Sequence, residues 1–240
     1  MSRQRGVALL LVLWVLALLA TLLAGLLGWV HLQNRQALWQ RQQTQGLLAA
    51  QAGVGMAVMA QLDRDPQQHW NADNQPHELR FDEAQLVVGI RSEKGRLDLN
   101  AASADAFARL LSACGAPAQV SQQATQSLEQ RRGGGRVPLR MIEELRELPG
   151  MTQPLYLCAA QEVTLWSGQP LPDARMASAW LRRALSLPQV AGTSKDAGPV
   201  ITVTSRATLP GGYATTLSVT LLLNPSQEGT RPYRVLRWQE

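Results

Sequence analysis

The pattern of apolar and polar positions begins with an uninterrupted apolar run at residues 7–30, which has no charged residue, no proline and no amide side chain. At about 1.5 Å of rise per residue, a helix of this length exceeds the roughly 30 Å hydrocarbon core of a bilayer. The run therefore predicts a transmembrane helix. A cleaved signal peptide fits less well, because its apolar core is about 7 to 15 residues long and a small-x-small cleavage site should follow.

Beyond residue 30 the apolar positions recur at helical spacing among glutamines and arginines, and the first proline is Pro66. This periodicity predicts one continuous helix from about Val7 to Leu62. Its second half, residues 31–62, would lay an apolar stripe on a soluble domain. Three glycines lie in this half: Gly46, Gly53 and Gly55. Each would weaken an exposed helix by up to about 1 kcal/mol, or could allow the helix to approach a sheet closely.

Short segments of alternating polarity predict strands on both sides of a long helical region. The first group lies in residues 63–100, after a polar loop, and comprises ELRF, QLVVGIRS and GRLDLN. The second group lies in residues 200–240, after a Gly/Ser/Lys/Asp linker at 189–199. It comprises a hairpin and a last strand, RPYRVLRWQE. Alternation of this kind, bounded by turn residues, is typical of half-buried strands.

Residues 101–188 separate the two strand groups and have mostly helical periodicity. Caps, prolines and glycines divide them into five predicted helices: SADAFARLLSACG, VSQQATQSLEQRR, VPLRMIEELRELPG, TQPLYLCAAQ and DARMASAWLRRALSL. One short strand, EVTLWS, is predicted between the last two. The sequence thus predicts an α+β fold with a long N-terminal helix on an antiparallel sheet. A large all-helical insertion would lie between the strands of that sheet.

The chain has a net charge of +5, and arginine supplies nearly all of its positive charge. Residues 1–6 form a short basic leader. Because the chain before the apolar run is short and the domain after it is large, we expect the N-terminus in the cytoplasm. The densest basic cluster comprises Arg131, Arg132, Arg136 and Arg140. Nucleic acid is an unlikely partner, because no stacking aromatic residues lie close to this cluster in the sequence.

The two cysteines, Cys114 and Cys158, leave two interpretations open. In an exported domain the oxidising compartment would let them form a disulfide bond. Alternatively, both are buried free thiols that act as small apolar side chains.

Residues with catalytic chemistry are sparse. The histidines are His31, His69 and His77, and the sequence has no G-x-S-x-G, H-E-x-x-H, Walker or C-x-x-C motif. We therefore predict that the protein is not an enzyme and has no cofactor. Weak calcium candidates lie in the polar loop: Asp63, Asp65 and Asp73. They lack the fixed spacing of a calcium loop, so solvated loop carboxylates are the favoured interpretation.

Two segments, LDLNAAS at 97–103 and ELPGM at 147–151, resemble the parts of a helix-hairpin-helix module of membrane-anchored competence DNA receptors. Such modules bind the phosphate backbone through a Gly-hydrophobic-Gly turn. Here Thr152 stands where the second glycine would be, and the two segments are about 50 residues apart in the sequence. The similarity therefore favours helical packing of that type more than DNA binding.

Taken together, the chain resembles the minor pseudopilins of the K class of type II secretion systems, over nearly its whole length. The resemblance is carried by the basic leader that ends in Gly6 and by a helical block opened by GRLDLNAAS. The block also contains MIEELRELPGMTQPLY followed by EVTLWSG, and the chain closes with RPYRVLRW. The middle of the block lacks the Asp-rich stretch that K-class proteins often have, so no calcium site is carried over.

The resemblance implies a pilin-like fold and processing by a prepilin peptidase between Gly6 and Val7, followed by N-methylation of Val7. Most pilins have glutamate five residues into the mature chain, where this sequence has Leu11. That glutamate needs a positive partner in the membrane, which a neighbouring subunit's terminal amine supplies. A subunit at the filament tip has no neighbour above it, so leucine at this position fits a tip subunit.

The resemblance also implies partners and a location. The expected partners are the I- and J-class minor pseudopilins, the major pseudopilin, the inner-membrane assembly platform and the prepilin peptidase. The protein would be a single-pass protein of the bacterial inner membrane with a periplasmic domain, placed at the pseudopilus tip after assembly. A third class, a simple signal-anchored periplasmic domain, predicts an unprocessed N-terminus at Met1 or Ser2.

Overall fold

The computed structural model describes residues 3–133, 138–190, 192, 196–223 and 232–240, without the side chains of residues 3–11, 24–28 and 30. Several predicted parts lie outside the described residues: residues 1 and 2 of the leader, residues 191 and 193–195 of the linker, and the segment 224–231. Arg136 of the basic cluster also lies outside them.

A single helix, α1 (Arg3–Leu62), opens the fold and agrees closely with the predicted helix. Five strands form the main sheet: β1 (His77–Phe81), β2 (Ala84–Ser92), β5 (Val200–Thr208), β6 (Ala214–Leu223) and β7 (Tyr233–Gln239). A separate two-stranded sheet consists of β3 (Leu97–Asp98) and β4 (Val163–Thr164). The remaining helices are α2 (Ala104–Ala113), α3 (Ala118–Gly133), α4 (Gln153–Ala160) and α5 (Ala179–Ala184). Two short 3₁₀ helices cover Glu93–Gly95 and Ile142–Glu147.

The main sheet is antiparallel throughout, with the order β1-β2-β5-β6-β7. Neighbouring strands β2 and β5 pair from Gln85 with Thr208 to Ser92 with Ile201. The chain leaves the sheet at the end of β2, forms the helical block and returns directly beside it in β5. The predicted α+β class with an antiparallel sheet is therefore confirmed, and the helical block is inserted between two adjacent strands.

The described residues have two separate apolar cores. In the first, α1 packs against one face of the main sheet through small and β-branched residues: Ala49, Ala50, Val54, Ala57 and Val58. The second core lies inside the helical block and is built around the fully buried Phe107, Leu110, Leu128, Ile142 and Leu181. The sheet and the block thus each have their own apolar interior.

Two predicted elements of the block, the helix from Pro138 and the strand EVTLWS, are wrong in extent. The helix predicted from Pro138 onward is a short 3₁₀ helix that starts only at Ile142. The Asn100 side chain engages the backbone of Leu139 on both its N–H and its C=O, which holds this backbone outside the helix. The predicted strand EVTLWS shrinks to two residues, and GRLDLN pairs with it instead of joining the main sheet.

The last predicted helix of the block is also shorter than its periodicity suggests. It begins only at Ala179, after Ser178, whose hydroxyl oxygen caps the helix by accepting from Leu181 N–H at 3.0 Å. The preceding residues form a turn in which Asp173 Oδ1 accepts from Arg175 N–H at 2.9 Å. This turn packs so closely against Gly95 that a Cβ there would lie 2.3 Å from the Met176 carbonyl oxygen.

Candidate functional site

The N-terminal two thirds of α1 extend away from the rest of the chain. Every residue from Val12 to Arg41 whose side chain is described is exposed. The exposed side chains include large apolar ones, among them Trp14 at 71%, Leu38 at 59% and Trp39 at 56% exposure. Exposed large apolar side chains in this number are characteristic of a segment that another apolar surface covers.

The predicted processing site lies at the start of this exposed segment. Gly6, Val7 and Leu11 fall within α1, and their side chains lie outside the described residues. Cleavage after Gly6, methylation of Val7 and the meaning of leucine at position 11 therefore stay predictions.

Over the residues that could be searched, no helix combines the length and the apolar character needed to cross a membrane. The predicted transmembrane segment 7–30 includes residues whose side chains are not described, at 7–11, 24–28 and 30. It stays a prediction.

The C-terminal third of α1 approaches the sheet through glycines. A Cβ on Gly46 would lie 3.1 Å from Thr215 Cγ2, and a Cβ on Gly53 would lie 2.3 Å from Ser205 Oγ. The suggestion that glycine allows close packing holds for these two positions. It is wrong for Gly55, which has nothing within 4 Å of the corresponding point.

The LDLN segment organises the helical block through its polar side chains. Asp98 is buried, and its carboxylate accepts from Asn100 N–H at 2.8 Å and from Gly168 N–H at 2.7 Å. Asn100 pairs with the Leu139 backbone through two hydrogen bonds of 3.0 Å each. Since each side chain ties down a distant loop, both residues have a scaffold role in this structure.

Arg132 completes the same junction from the end of α3. Its guanidinium donates to the Leu99 carbonyl, at 2.8 Å from Nε, and to the Ala102 carbonyl. Burial lowers the pKa of Arg132, and the charge of Asp98 opposes that shift. This member of the basic cluster thus holds the chain that leads from β3 into α2. Arg131 instead forms ion pairs with Glu144 at 3.1 Å and Glu147 at 2.9 Å.

The LPGM turn joins the second 3₁₀ helix to α4, so a helical hairpin does form at 142–160. Gly150 has a φ of +74°, and a Cβ there would lie 2.8 Å from Val120 Cγ1 of α3. The turn is closed by Met151 N–H, which donates to the Leu148 carbonyl at 3.1 Å. The tight turn and its packing against α3 therefore explain why glycine occupies this position. Phosphate binding is not needed to explain it.

In the structure Cys114 and Cys158 are bonded, with an S–S distance of 2.08 Å and a Cα–Cα distance of 5.9 Å. Cys114 caps the C-terminus of α2, and Cys158 lies in α4. The bond closes a loop with a sequence separation of 44 residues, which contains the whole of α3. It therefore ties the first and last helices of this part of the block together.

The calcium candidates form backbone turns. Asp63 Oδ1 accepts from Asp65 N–H at 2.9 Å, and Asp65 Oδ1 accepts from Gln67 N–H at 2.9 Å. Asp73 Oδ1 accepts from Gln75 N–H at 3.0 Å. Within the described ranges, no three His, Cys, Asp or Glu side chains are grouped as metal ligands.

Two of the histidines also have structural surroundings. His77 stacks on Trp70, with 3.9 Å between the ring centroids and 3° between the ring planes. His69 Nδ1 lies 3.3 Å from the Asp63 carbonyl oxygen. Both contacts fasten the polar loop between α1 and β1.

A polar junction between the sheet and the block was not predicted. Glu93 is fully buried, accepts from the Thr202 hydroxyl at 2.6 Å and lies 3.3 Å from Arg96 in an ion pair. Burial lowers the pKa of Arg96, and the charge of Glu93 opposes this shift. Arg91 of β2 pairs with Glu162 at 2.6 Å. In the sequence Glu93 looks like a surface turn residue, because its partner Thr202 is 109 positions away.

Comparison with known proteins bears on this architecture. No protein-family model and no curated protein matches the chain. Among solved structures, it is similar to a chain in the crystal structure of the GspK-GspI-GspJ complex from the enterotoxigenic Escherichia coli type 2 secretion system. The TM-score is 0.61 at 16% identity, and the similarity covers 85% of this chain and 98% of that chain. The two chains share one fold.

This similarity extends over nearly the whole of the secretion-system chain, so it concerns a complete architecture and not a single motif. A helix-hairpin-helix interpretation would rest on the short segment 142–160 alone. The comparison gives the DNA-receptor alternative no support.

Proposed function

We propose that this chain is a minor pseudopilin of the K class of a type II secretion system, which starts the pseudopilus and caps its tip. The observation that carries the proposal is the fold shared with 98% of a chain from the GspK-GspI-GspJ complex. The proposed partners are the I- and J-class minor pseudopilins, the major pseudopilin and the inner-membrane assembly platform. The proposed role is structural, without catalysis and without a cofactor.

The helical insertion supports the tip position. It leaves and re-enters the sheet between the adjacent strands β2 and β5, so it adds bulk to the domain without interrupting the sheet. Such bulk is easier to place at the end of a filament than between stacked subunits. The exposed apolar surface of α1 supports assembly through that helix, because the described part of the chain leaves it uncovered.

The location in this proposal is the bacterial inner membrane, crossed once by residues 7–30, with the N-terminus in the cytoplasm and the domain in the periplasm. The leader would be removed by the prepilin peptidase between Gly6 and Val7, and Val7 would be N-methylated. Leucine at position 11 removes a charge that would be costly in lipid without a neighbouring amine.

N-terminal mass spectrometry of the membrane-extracted protein, with and without a co-expressed prepilin peptidase, tests this proposal. The expected product is a methylated chain that starts at Val7. Gly6→Ala should block processing, because the peptidase needs a small residue before the cut, whereas Leu11→Glu should be processed normally. A chain that still starts at Met1 or Ser2 in the peptidase's presence contradicts the proposal and favours a permanently anchored domain.

A further inference from the structure

A polar cleft of about 460 Å³ lies between the sheet and the helical block. One wall is the loop 72–75, which is fixed to β2 because Asn74 N–H donates to the Ile90 carbonyl at 2.7 Å. The opposite wall consists of residues 175–179 and Arg182 of the block. Arg91 and Glu162, which form the ion pair across the junction, also line the cleft.

A second groove of about 770 Å³ lies beside this cleft along α5. The two share Ala179 and Arg182 as lining residues, so they are adjacent and Arg182 lies at their boundary. The second groove adds Arg183 and the chain that follows α5, as far as Val190. We call the two together the arginine groove, after its four arginines: Arg91, Arg175, Arg182 and Arg183.

The carboxylates of the arginine groove are already engaged by groups of this chain. Glu162 pairs with Arg91 through Oε2 at 2.6 Å, and its Oε1 accepts from the Ser178 hydroxyl at 2.9 Å. Asp73 lines the cleft as well, and its Oδ1 accepts from a backbone N–H in its own loop. Arg91 is therefore the one of the four arginines that is ion-paired within the groove, and the four arginines and two carboxylates of the lining leave a net charge of +2.

The other three arginines keep donors for a ligand. Among the described residues, the ion pairs involve other cations and leave Arg175, Arg182 and Arg183 without a carboxylate. Arg182 is half-buried and donates one hydrogen bond, from Nη1 to the Ala174 carbonyl at 3.3 Å, which holds it at the cleft. A guanidinium held in this way binds a carboxylate through two parallel hydrogen bonds.

We propose that the arginine groove binds an extended acidic segment of another protein. Each of its two parts has a volume in the range of sites for ligands of many atoms, roughly 300–1,000 Å³, and is too large for one inorganic anion. Charged walls do not suit an apolar ligand. The described residues of the lining include no Phe, Tyr or Trp for base stacking, which disfavours single-stranded nucleic acid. An acidic peptide can place successive carboxylates on arginines that lie along one surface.

This inference does not rest on the proposed function, since it uses only the charges and shape of the groove. Its test is a fluorescence anisotropy titration of the full-length protein in detergent micelles with a fluorescein-labelled hexaglutamate peptide. The matched hexaglutamine peptide measures binding without charge. We expect saturable binding of hexaglutamate that weakens with added salt. Hexaglutamine should bind at least about tenfold more weakly than hexaglutamate.

Charge-reversal variants locate the site. Arg175→Glu and Arg182→Glu should each raise the Kd for hexaglutamate about tenfold. Arg206→Glu makes the same change of net charge on an exposed position of β5 outside the groove and should change the Kd less than threefold. Arg175 is exposed and its side chain holds no partner among the described residues, so this variant should keep the fold even if Arg182→Glu unfolds.

Three results would overturn the inference. Arg206→Glu could weaken binding as much as Arg175→Glu, which would indicate general attraction to a basic protein. A second such result is the absence of saturable binding of hexaglutamate to the folded protein. Finally, a labelled DNA duplex could bind with the same dependence on Arg175, which would assign the groove to nucleic acid.

Discussion

Gly53 brings α1 against the sheet at a point where no side chain fits. A Cβ there would lie 2.3 Å from Ser205 Oγ and 3.1 Å from Val88 Cγ2, both on strands in the centre of the sheet. Gly55 follows two residues later on another side of the same helix and faces open space. Both glycines have the same low helix propensity, so a difference between substitutions at Gly53 and at Gly55 reports on packing against the sheet.

Gly53→Ala should lower the free energy of unfolding by about 1 to 3 kcal/mol, because the added methyl group overpacks the contact with Ser205. Gly55→Ala should leave it unchanged or raise it by up to about 1 kcal/mol, since alanine favours the helix. Denaturant unfolding of both variants measures the difference. Equal effects at the two positions would mean that the helix does not approach the sheet as closely as the structure has it.

Glu144 holds the start of the second 3₁₀ helix. Its Oε1 accepts from Arg140 N–H at 2.7 Å and from Met141 N–H at 2.9 Å, and its Oε2 lies 3.1 Å from Arg131. Burial raises the pKa of Glu144, but the two backbone hydrogen bonds and the charge of Arg131 outweigh it. The net effect is a pKa below the ordinary value.

A lowered native pKa makes the contribution of Glu144 depend on pH. The stabilisation is fully present above the unfolded pKa of about 4.3 and is lost as pH falls through the lower native pKa. Glu144→Gln should therefore destabilise the protein by on the order of 1 kcal/mol at pH 7 and by less at pH 3. Unfolding curves at both pH values measure this.

Glu147→Gln is the matched control for that prediction. Glu147 also pairs with Arg131, but its side chain is 64% exposed. An exposed ion pair contributes between 0 and about 1 kcal/mol, so the control should change stability little at either pH. A pH dependence as large in Glu147→Gln as in Glu144→Gln would contradict the assigned role of the two backbone hydrogen bonds.

At the scale of elements, the disulfide bond constrains the helical block independently of the sheet. It joins the end of α2 to α4 and encloses α3 and the second 3₁₀ helix. In the chain-entropy model, closing a loop of this length stabilises the folded state by about 4 kcal/mol.

The double variant Cys114→Ala/Cys158→Ala should therefore lose up to about 4 kcal/mol of stability. A reductant should lower the unfolding temperature of the wild-type protein and leave that of the double variant unchanged. Calorimetry with and without dithiothreitol measures both effects. An unfolding temperature of the wild-type protein that is the same with and without dithiothreitol would contradict a stabilising role of the disulfide bond.

Elements with long, regular patterns could be predicted from the sequence, and those fixed by distant side chains could not. The periodicity after residue 30 predicts α1, and the alternation after residue 200 predicts β5 and β6, because the pattern of each runs over many consecutive residues. The helix predicted from Pro138 fails because Asn100 takes the backbone of Leu139. The sequence does not predict the buried position of Glu93, because its partner Thr202 lies in β5, 109 positions away.

The candidate site also divides into residues that the sequence predicts and residues that only tertiary structure brings together. Gly6, Val7 and Leu11 are predicted from their place in a sequence motif, which needs no tertiary structure. The arginine groove could not be predicted, because Arg91 and Arg182 lie 91 positions apart and meet only through the insertion of the block. Its signal in the sequence is an excess of arginine over acidic residues near position 180, where Arg175, Arg182 and Arg183 follow Asp173.

At the scale of the whole molecule, α1 belongs to the sheet core as much as the strands do. Ala50 and Ala57 are completely buried, and Val58 is only 2% exposed. The helix face that they form covers the sheet face that carries Val88 and Val203, both fully buried. Residues 12–41, in contrast, are exposed wherever their side chains are described and add nothing to either core.

Two truncations should therefore behave in opposite ways. A chain of residues 40–240 keeps the helix face from Gly46 to Val58 and should unfold cooperatively on heating. A chain of residues 63–240 exposes the apolar face of the sheet, so it should aggregate or lack a cooperative transition. Circular dichroism melting and gel filtration of the two chains measure this. Cooperative unfolding of 63–240 would show that the sheet and the helical block hold together without α1, and that the helix serves assembly alone.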